Sequence, residues 1–163
     1  MSEVTVRRAV PGDEGEVLRL IIALATYEYQ PEAVKATEAS LAATLFNDDP
    51  RVFAHLAEQD GRTVGFALWF LTYSTWTALP SLYVEDIYVE ADCRGGGVGR
   101  KLFEVLGQEA KARGCGRIDF AVLDWNEPAM AFYRRIGARP ATGWQPWRVE
   151  GAAYERLTRP PKR

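Results

Sequence analysis

The sequence predicts an α/β (α+β) chain in which one mixed, twisted sheet carries helices on its faces. Three observations lead there. Two strand-like runs in the first half are joined through Asp60-Gly61, a hairpin signal. Strand, glycine-rich turn and helix follow one another in the second half, as does a later strand and helix. Helical periodicity between the strands supplies the covering layers.

Residues 3–8 alternate as an opening strand, and Pro11-Gly12-Asp13 breaks it with a turn whose Asp is placed to cap a helix. Val17, Leu20, Ile21 and Leu24 mark the buried face of that helix, which Pro31 stops. Thr37 is the expected cap of a second helix running through Leu41, Leu45 and Phe46, ended by Asn47-Asp48-Asp49-Pro50. The hairpin strands cover residues 52–58 and 63–73, and residues 82–89 form a further strand. The Arg94 to Gly99 turn then opens a helix over 98–113, closed by Gly114. Residues 118–123 read as a strand, with Asn126 capping the next helix, Pro128 in its first turn and Gly137 ending it. A last hairpin is expected from 144–149 and 152–157 around Glu150-Gly151, and 158–163 reads as a frayed basic end.

The 163 residues suit one domain, and a chain of this length buries roughly 70% of its unfolded surface. Net charge −2 lacks the basic excess of phosphate-backbone binders, so no nucleic-acid partner is expected. Residues 1–5 carry no basic region before an apolar core, and no run reaches the ~18 apolar residues of a membrane span. A cytoplasmic location without membrane attachment is the expectation. Cys93 and Cys115 lack metal-ligand spacing and suit reduced thiols, although Cys93, just before the glycine-rich turn, is open to a reactive role. His55, the sole histidine, reads as a strand residue, and no metal site is expected.

Chemistry concentrates in three places. In Arg94-Gly95-Gly96-Gly97-Val98-Gly99 the glycines clear side chains from a helix start whose first amides have no helical partner, and Arg94 and Arg100 add charge. A diphosphate-bearing ligand is implied. The spacing is neither GxGxxG nor the nucleoside-triphosphate loop, because Leu102 follows Lys101, which leaves coenzyme A or a flexible loop whose glycines only ease a tight strand-to-helix turn. The second place is the strand holding Glu85 and Asp86, expected on opposite faces, one lining a site and the other open to an ion pair with a covering helix. The third is Asp124-Trp125-Asn126-Glu127-Pro128 with Phe132-Tyr133, where Asn126 reads as a cap and Tyr133 as either core or a ligand-facing residue.

Together these residues resemble the GNAT superfamily of N-acetyltransferases, whose coenzyme-A signature is Gln or Arg, two variable residues, Gly, one variable residue, then Gly or Ala. Ala25-Thr26-Tyr27-Glu28-Tyr29, Leu82-Tyr83-Val84-Glu85-Asp86 and Trp125-Asn126-Glu127-Pro128 look like the spermidine/spermine (diamine) acetyltransferase branch. The resemblance implies a mostly antiparallel sheet splayed between strands four and five, acetyl-coenzyme A as acetyl donor, a small cationic amine as acceptor, and a homodimer. It places the pantetheine arm on the backbone of Ile87, Tyr88 and Val89, with the pyrophosphate at Gly95, Gly96, Gly97, Val98, Gly99 and Arg100 and Asn126 helping to position the donor. Tyr133 matches the family's general acid, and Tyr27, Glu28 and Glu85 match its substrate-site residues. Asp119 and the 144–147 segment depart from the branch and bear on the shape of the amine pocket.

A lysine-like amine with a pKa near 10.4 costs roughly 4.6 kcal/mol to hold neutral at pH 7, and only the neutral amine attacks. Glu85 is the expected base and Tyr133 the expected acid at the departing thiolate. A protein lysine or N-terminus as acceptor, and a coenzyme-A-binding sensor without turnover, are the rival readings.

Overall fold

A computed structural model describes residues 3–160. The chain divides into two compact units, Met1–Leu123 and Asp124–Arg163.

The first unit contains β1 (Val4–Arg8), α1 (Glu14–Tyr27), α2 (Glu38–Leu45), β2 (Val52–Gln59), β3 (Arg62–Ser74), β4 (Leu79–Val89), α3 (Val98–Ala112) and β5 (Ile118–Phe120). The five strands lie in chain order, β1 to β4 antiparallel and β5 parallel to β4. Asp60 (φ 53°) and Gly61 (φ 73°) both take the left-handed conformation, as a two-residue hairpin turn that matches strand twist requires. Thr37 caps α2 as expected: its Oγ1 accepts from the Ser40 amide, and the Ser40 hydroxyl accepts from the Thr37 amide.

Asp13 behaves differently. It stands at the N-cap of α1 but makes no side-chain cap bond. Its carboxylate instead accepts from Arg7 Nη1 and Nη2 at 2.7 and 3.0 Å and from the Val10 amide at 2.8 Å. A bidentate guanidinium outcompetes a neutral amide for the same oxygens.

Alternation along β2 and β3 divides the core between the two sheet faces. On one face Phe53, Ala57, Val64, Ala67, Trp69, Leu82 and Val84 pack against Val98, Leu102, Leu106 and Ala110 of α3. On the other, Ala54, Leu56, Phe66 and Leu68 meet Val17 and Leu20 of α1 and Leu41 and Leu45 of α2. The four-residue spacing on α3 forms a single stripe, whose first member, Val98, anchors the glycine-rich turn to the core.

His55 sits on the α3 face with 3% exposure. The Trp69 indole N–H donates to its Nδ1 at 3.1 Å, while Nε2 lies 3.6 Å from Glu109. Burial lowers its pKa below the usual 6.5; Glu109 opposes this shift, and Arg8 and Arg113 reinforce it. The unfolded chain therefore binds the proton more readily, so stability is complete above about pH 6.5 and is lost as pH falls through the folded-state pKa. Urea unfolding at pH 7.5 and 5.5 should show this as a larger loss of stability in wild type than in His55→Asn. Equal changes in the two proteins would mean that the histidine folds with its ordinary affinity for protons.

The second unit contains α4 (Glu127–Arg135) and α5 (Gly151–Thr158). Asn126 caps α4 through Oδ1, which accepts from the Ala129 amide at 3.3 Å, and Gly137 (φ 91°) follows the helix end. The expected C-terminal hairpin is corrected. Residues 144–149 form no regular element, and the second expected strand is helical, within α5. Ala152-Ala153-Tyr154-Glu155-Arg156-Leu157 is rich in strong helix formers, and Glu-Gly lacks the preference of Asp-Gly for a tight hairpin turn. Of the expected tail, residues 161–163 lie outside the described residues. No helix among the described residues is long and apolar enough to cross a membrane.

Candidate active site

A short 3₁₀ turn at Ala91–Cys93 carries the chain from β4 into the glycine-rich turn. Gly95 (φ 80°) and Gly97 (φ 88°) occupy left-handed conformations, and a Cβ built on either meets nothing within 4 Å. The turn thus exposes backbone to open space at the N-terminus of α3, whose first turn contains no acidic residue. Bare amides, the positive end of a fifteen-residue helix and nearby Arg100 suit a diphosphate. Arg100 itself pairs with Glu104 at 3.3 Å.

Beside this turn the sheet opens. β5 pairs only with Leu82–Val84, so Ile87, Tyr88 and Val89 have strand neighbours on the β3 side alone, opposite Ala67, Phe66 and Gly65. An extended amide-bearing arm fits such an edge. The residues present therefore suit coenzyme A.

The break in β4 has a local cause. Leu68 faces Asp86 while Trp69 faces Val84, leaving Glu85 as the extra residue of a bulge. Strict alternation would send Glu85 and Asp86 to opposite faces, as the sequence suggests. The bulge cancels that alternation, and both line one cleft of about 370 Å³ with Glu28 and with Ile21, Leu24 and Val34. None of the ion pairs among the described residues involves Glu28, Glu85 or Asp86. The structural alternative for Asp86, a partner Arg on a covering helix, is thereby removed.

Burial first, then the charges of Glu85 and Glu28, push the Asp86 carboxyl up to about 6. Burial also raises Glu28. Asp86 is the site residue that sequence reasoning left unassigned. The available signal was a second carboxylate in an otherwise apolar strand, and only the bulge turns it toward Glu85.

The other candidate residues are distributed as follows. Tyr27 ends α1 immediately before Glu28 and lies under the Arg94 guanidinium, 4.8 Å from carbon to ring centroid. Asp119 on β5 pairs with Arg117 at 2.8 Å and is not among the cleft-lining residues. Asn126 and Tyr133 belong to the second unit, with Asn126 8% exposed and Tyr133 on α4 next to Phe132, ring centroids 5.6 Å apart. Cys93 is half-buried with its Sγ 3.2 Å from Arg62 Nη2. No group of three or more His, Cys, Asp or Glu among the described residues could hold a metal ion.

A fourth strand paired in parallel with the fifth only over Leu82–Val84, with a glycine-rich turn leading into a helix, defines an acyl-coenzyme A transferase architecture. The chain belongs to the acetyltransferase (GNAT) family, matching it over residues 16–138, and is an acetyltransferase. A thialysine N-epsilon-acetyltransferase of Sus scrofa is 39% identical over 96% of this chain and 98% of its own. A spermidine/spermine N(1)-acetyltransferase-like protein 1 of Homo sapiens is 33% identical over 91% of this chain, which spans 22% of that longer protein. Among solved structures, an integron cassette protein from V. cholerae superposes with a TM-score of 0.80 at 25% identity, covering 96% of this chain and 98% of its own. Enzymes of this family use acetyl-coenzyme A as donor.

Proposed function

We propose that the protein transfers an acetyl group from acetyl-coenzyme A to the primary amine of a small diamine, polyamine or thialysine-like cation by direct attack. The observation that carries this reading is the cleft in which Glu28, Glu85 and Asp86 converge without a cationic partner among the described residues. Without a cation beside it, keeping Asp86 ionised at pH 7 costs on the order of 3 kcal/mol, which an entering ammonium offsets. The names of the full-length relatives, which act on thialysine, favour a small amine over a protein acceptor.

Acetyl-coenzyme A, when bound, supplies the thioester carbonyl that the amine attacks. Gly95 to Arg100 would hold its pyrophosphate, and the free edge at Ile87, Tyr88 and Val89 its amide-bearing arm. Glu28 and Asp86 attract the ammonium, and Glu85 takes the amine proton, directly or through water. Asn126 helps position the donor, and the Tyr133 hydroxyl donates a proton at the leaving sulfur. Tyr27, next to Glu28, belongs to the proposed substrate side, whereas Asp119, paired with Arg117, does not line this cleft. The family resemblance further supports a cytoplasmic homodimer acting on a free metabolite, and the net charge of −2 argues against a nucleic-acid partner.

Free thiol release from acetyl-coenzyme A with a panel of amines tests the reading. Small dibasic amines should turn over, and Glu85→Gln should lower the rate at pH 7 by a deficit that shrinks as pH rises. Asp86→Asn should slow turnover while stabilising the protein at pH 7 by about 2 kcal/mol, because the folded chain no longer confines a raised-pKa carboxylate. Turnover only with peptides would transfer the activity to protein acceptors, and donor binding without any turnover would leave a sensor.

A further inference from the structure

We propose that Arg94 is a positioning residue that clamps the amine-side end of α1 to the glycine-rich turn, instead of a phosphate ligand; the proposal rests on the acetyl-transfer reading. Its guanidinium carbon lies 4.8 Å from the Tyr27 ring centroid and 5.4 Å from that of Tyr88. Its Nε donates to the Val89 carbonyl at 2.9 Å. The planar group is thus engaged by two rings and one backbone oxygen, and its chain position is immediately before Gly95.

What the two rings are attached to gives the stack its consequence. Tyr27 is followed by Glu28, and Tyr88 stands two residues after Asp86 along β4. Glu28 and Asp86 are carboxylates of the same cleft, one contributed by a helix end and the other by a strand. Beyond Glu28, Tyr29 (φ 62°) turns the chain out of the helix, and a 3₁₀ turn at Pro31–Ala33 follows. Arg94 therefore sets the distance between Glu28 and Asp86 from the base of the donor turn. Donor binding that orders the turn tightens the amine cleft, and amine binding must strengthen donor binding by the same factor.

Lysine separates the two roles. An ammonium keeps the positive charge that a phosphate needs but loses the planar face and the Nε–H, so it does not restore a stack of this kind. In the positioning role Arg94→Ala raises the amine KM about tenfold, with less than a threefold change in the acetyl-coenzyme A Kd, and Arg94→Lys remains impaired. Tyr27→Leu behaves alike, and the double variant Tyr27→Leu, Arg94→Ala is no worse than either single change, because both remove one shared contact.

The test is steady-state kinetics in the amine with calorimetry of acetyl-coenzyme A on wild type and these variants. Two results overturn the clamp: a tenfold loss of donor affinity in Arg94→Ala that Arg94→Lys restores, or full additivity of the Tyr27 and Arg94 changes. Both would leave acetyl transfer standing. A wild-type protein that acetylates no amine overturns the clamp and the underlying reading together.

Discussion

Tyr133→Phe is expected to lower kcat by about 10²-fold or more while leaving affinity for acetyl-coenzyme A nearly unchanged. The departing thiolate of a thioester needs a proton or a compensating charge, and a phenol held at the sulfur provides either. Tyr133 stands seven residues after Asn126, about 10 Å along α4 at 1.5 Å per residue. The Asn126 cap and the neighbouring Phe132 ring fix where that helix begins and how the tyrosine ring is supported. Phe preserves the ring, so packing within α4 is retained and only the hydroxyl is lost. Kinetics and calorimetry on one preparation separate the chemical step from donor binding. A kcat within about twofold of wild type, less than about 0.5 kcal/mol of barrier, would exclude Tyr133 as the principal acid.

The second large effect is expected at the donor turn, where Gly97→Asp should raise the acetyl-coenzyme A Kd by about 10- to 100-fold, or 1.4 to 2.8 kcal/mol. Gly97 is the N-cap residue of α3 with φ 88°, and a Cβ there meets nothing within 4 Å. Steric collision is therefore not the cause. Asp tolerates the left-handed region better than most residues and is a favourable N-cap, so the helix survives the change. Its carboxylate would instead occupy the bare amides and oppose a pyrophosphate in the same place. Gly97→Ala isolates the backbone strain, and its Kd should lie much nearer to wild type. If the Asp variant is folded and binds the donor normally, the turn is not the pyrophosphate site.

Local chemistry was read correctly where it acts over a few residues. Asp60-Gly61 needs only its own two left-handed conformations to make a hairpin, and Thr37 only Ser40 to cap a helix. Asn126, Gly114 and Gly137 likewise end or open helices through neighbours within one turn. The glycine-rich turn forms just as locally, with Gly95 and Gly97 in left-handed conformations ahead of α3. Asp13 marks the limit of such reasoning, because Arg7 on β1 claimed the carboxylate that would otherwise have capped α1. The C-terminal hairpin failed for a related reason, as its alternating apolar pattern competed with helix propensity and had no turn chemistry to decide in its favour.

Sequence by itself determined the order of strands and helices through α4 and the family signature at Arg94 to Gly99. Tertiary structure decided which residues face one another. A strand's alternation depends on the register of its partner, and one extra residue opposite Leu68 and Trp69 brought Glu85 and Asp86 into the cleft of Glu28. Burial there, together with two neighbouring carboxylates, shifted Asp86 to about 6, a consequence of low dielectric and like charge at short range. Arg94 was legible as a charge beside glycines, but the Tyr27 and Tyr88 rings that engage it come from segments 67 and 6 residues away in the chain. Interactions across such separations arise only once the sheet and helices have packed.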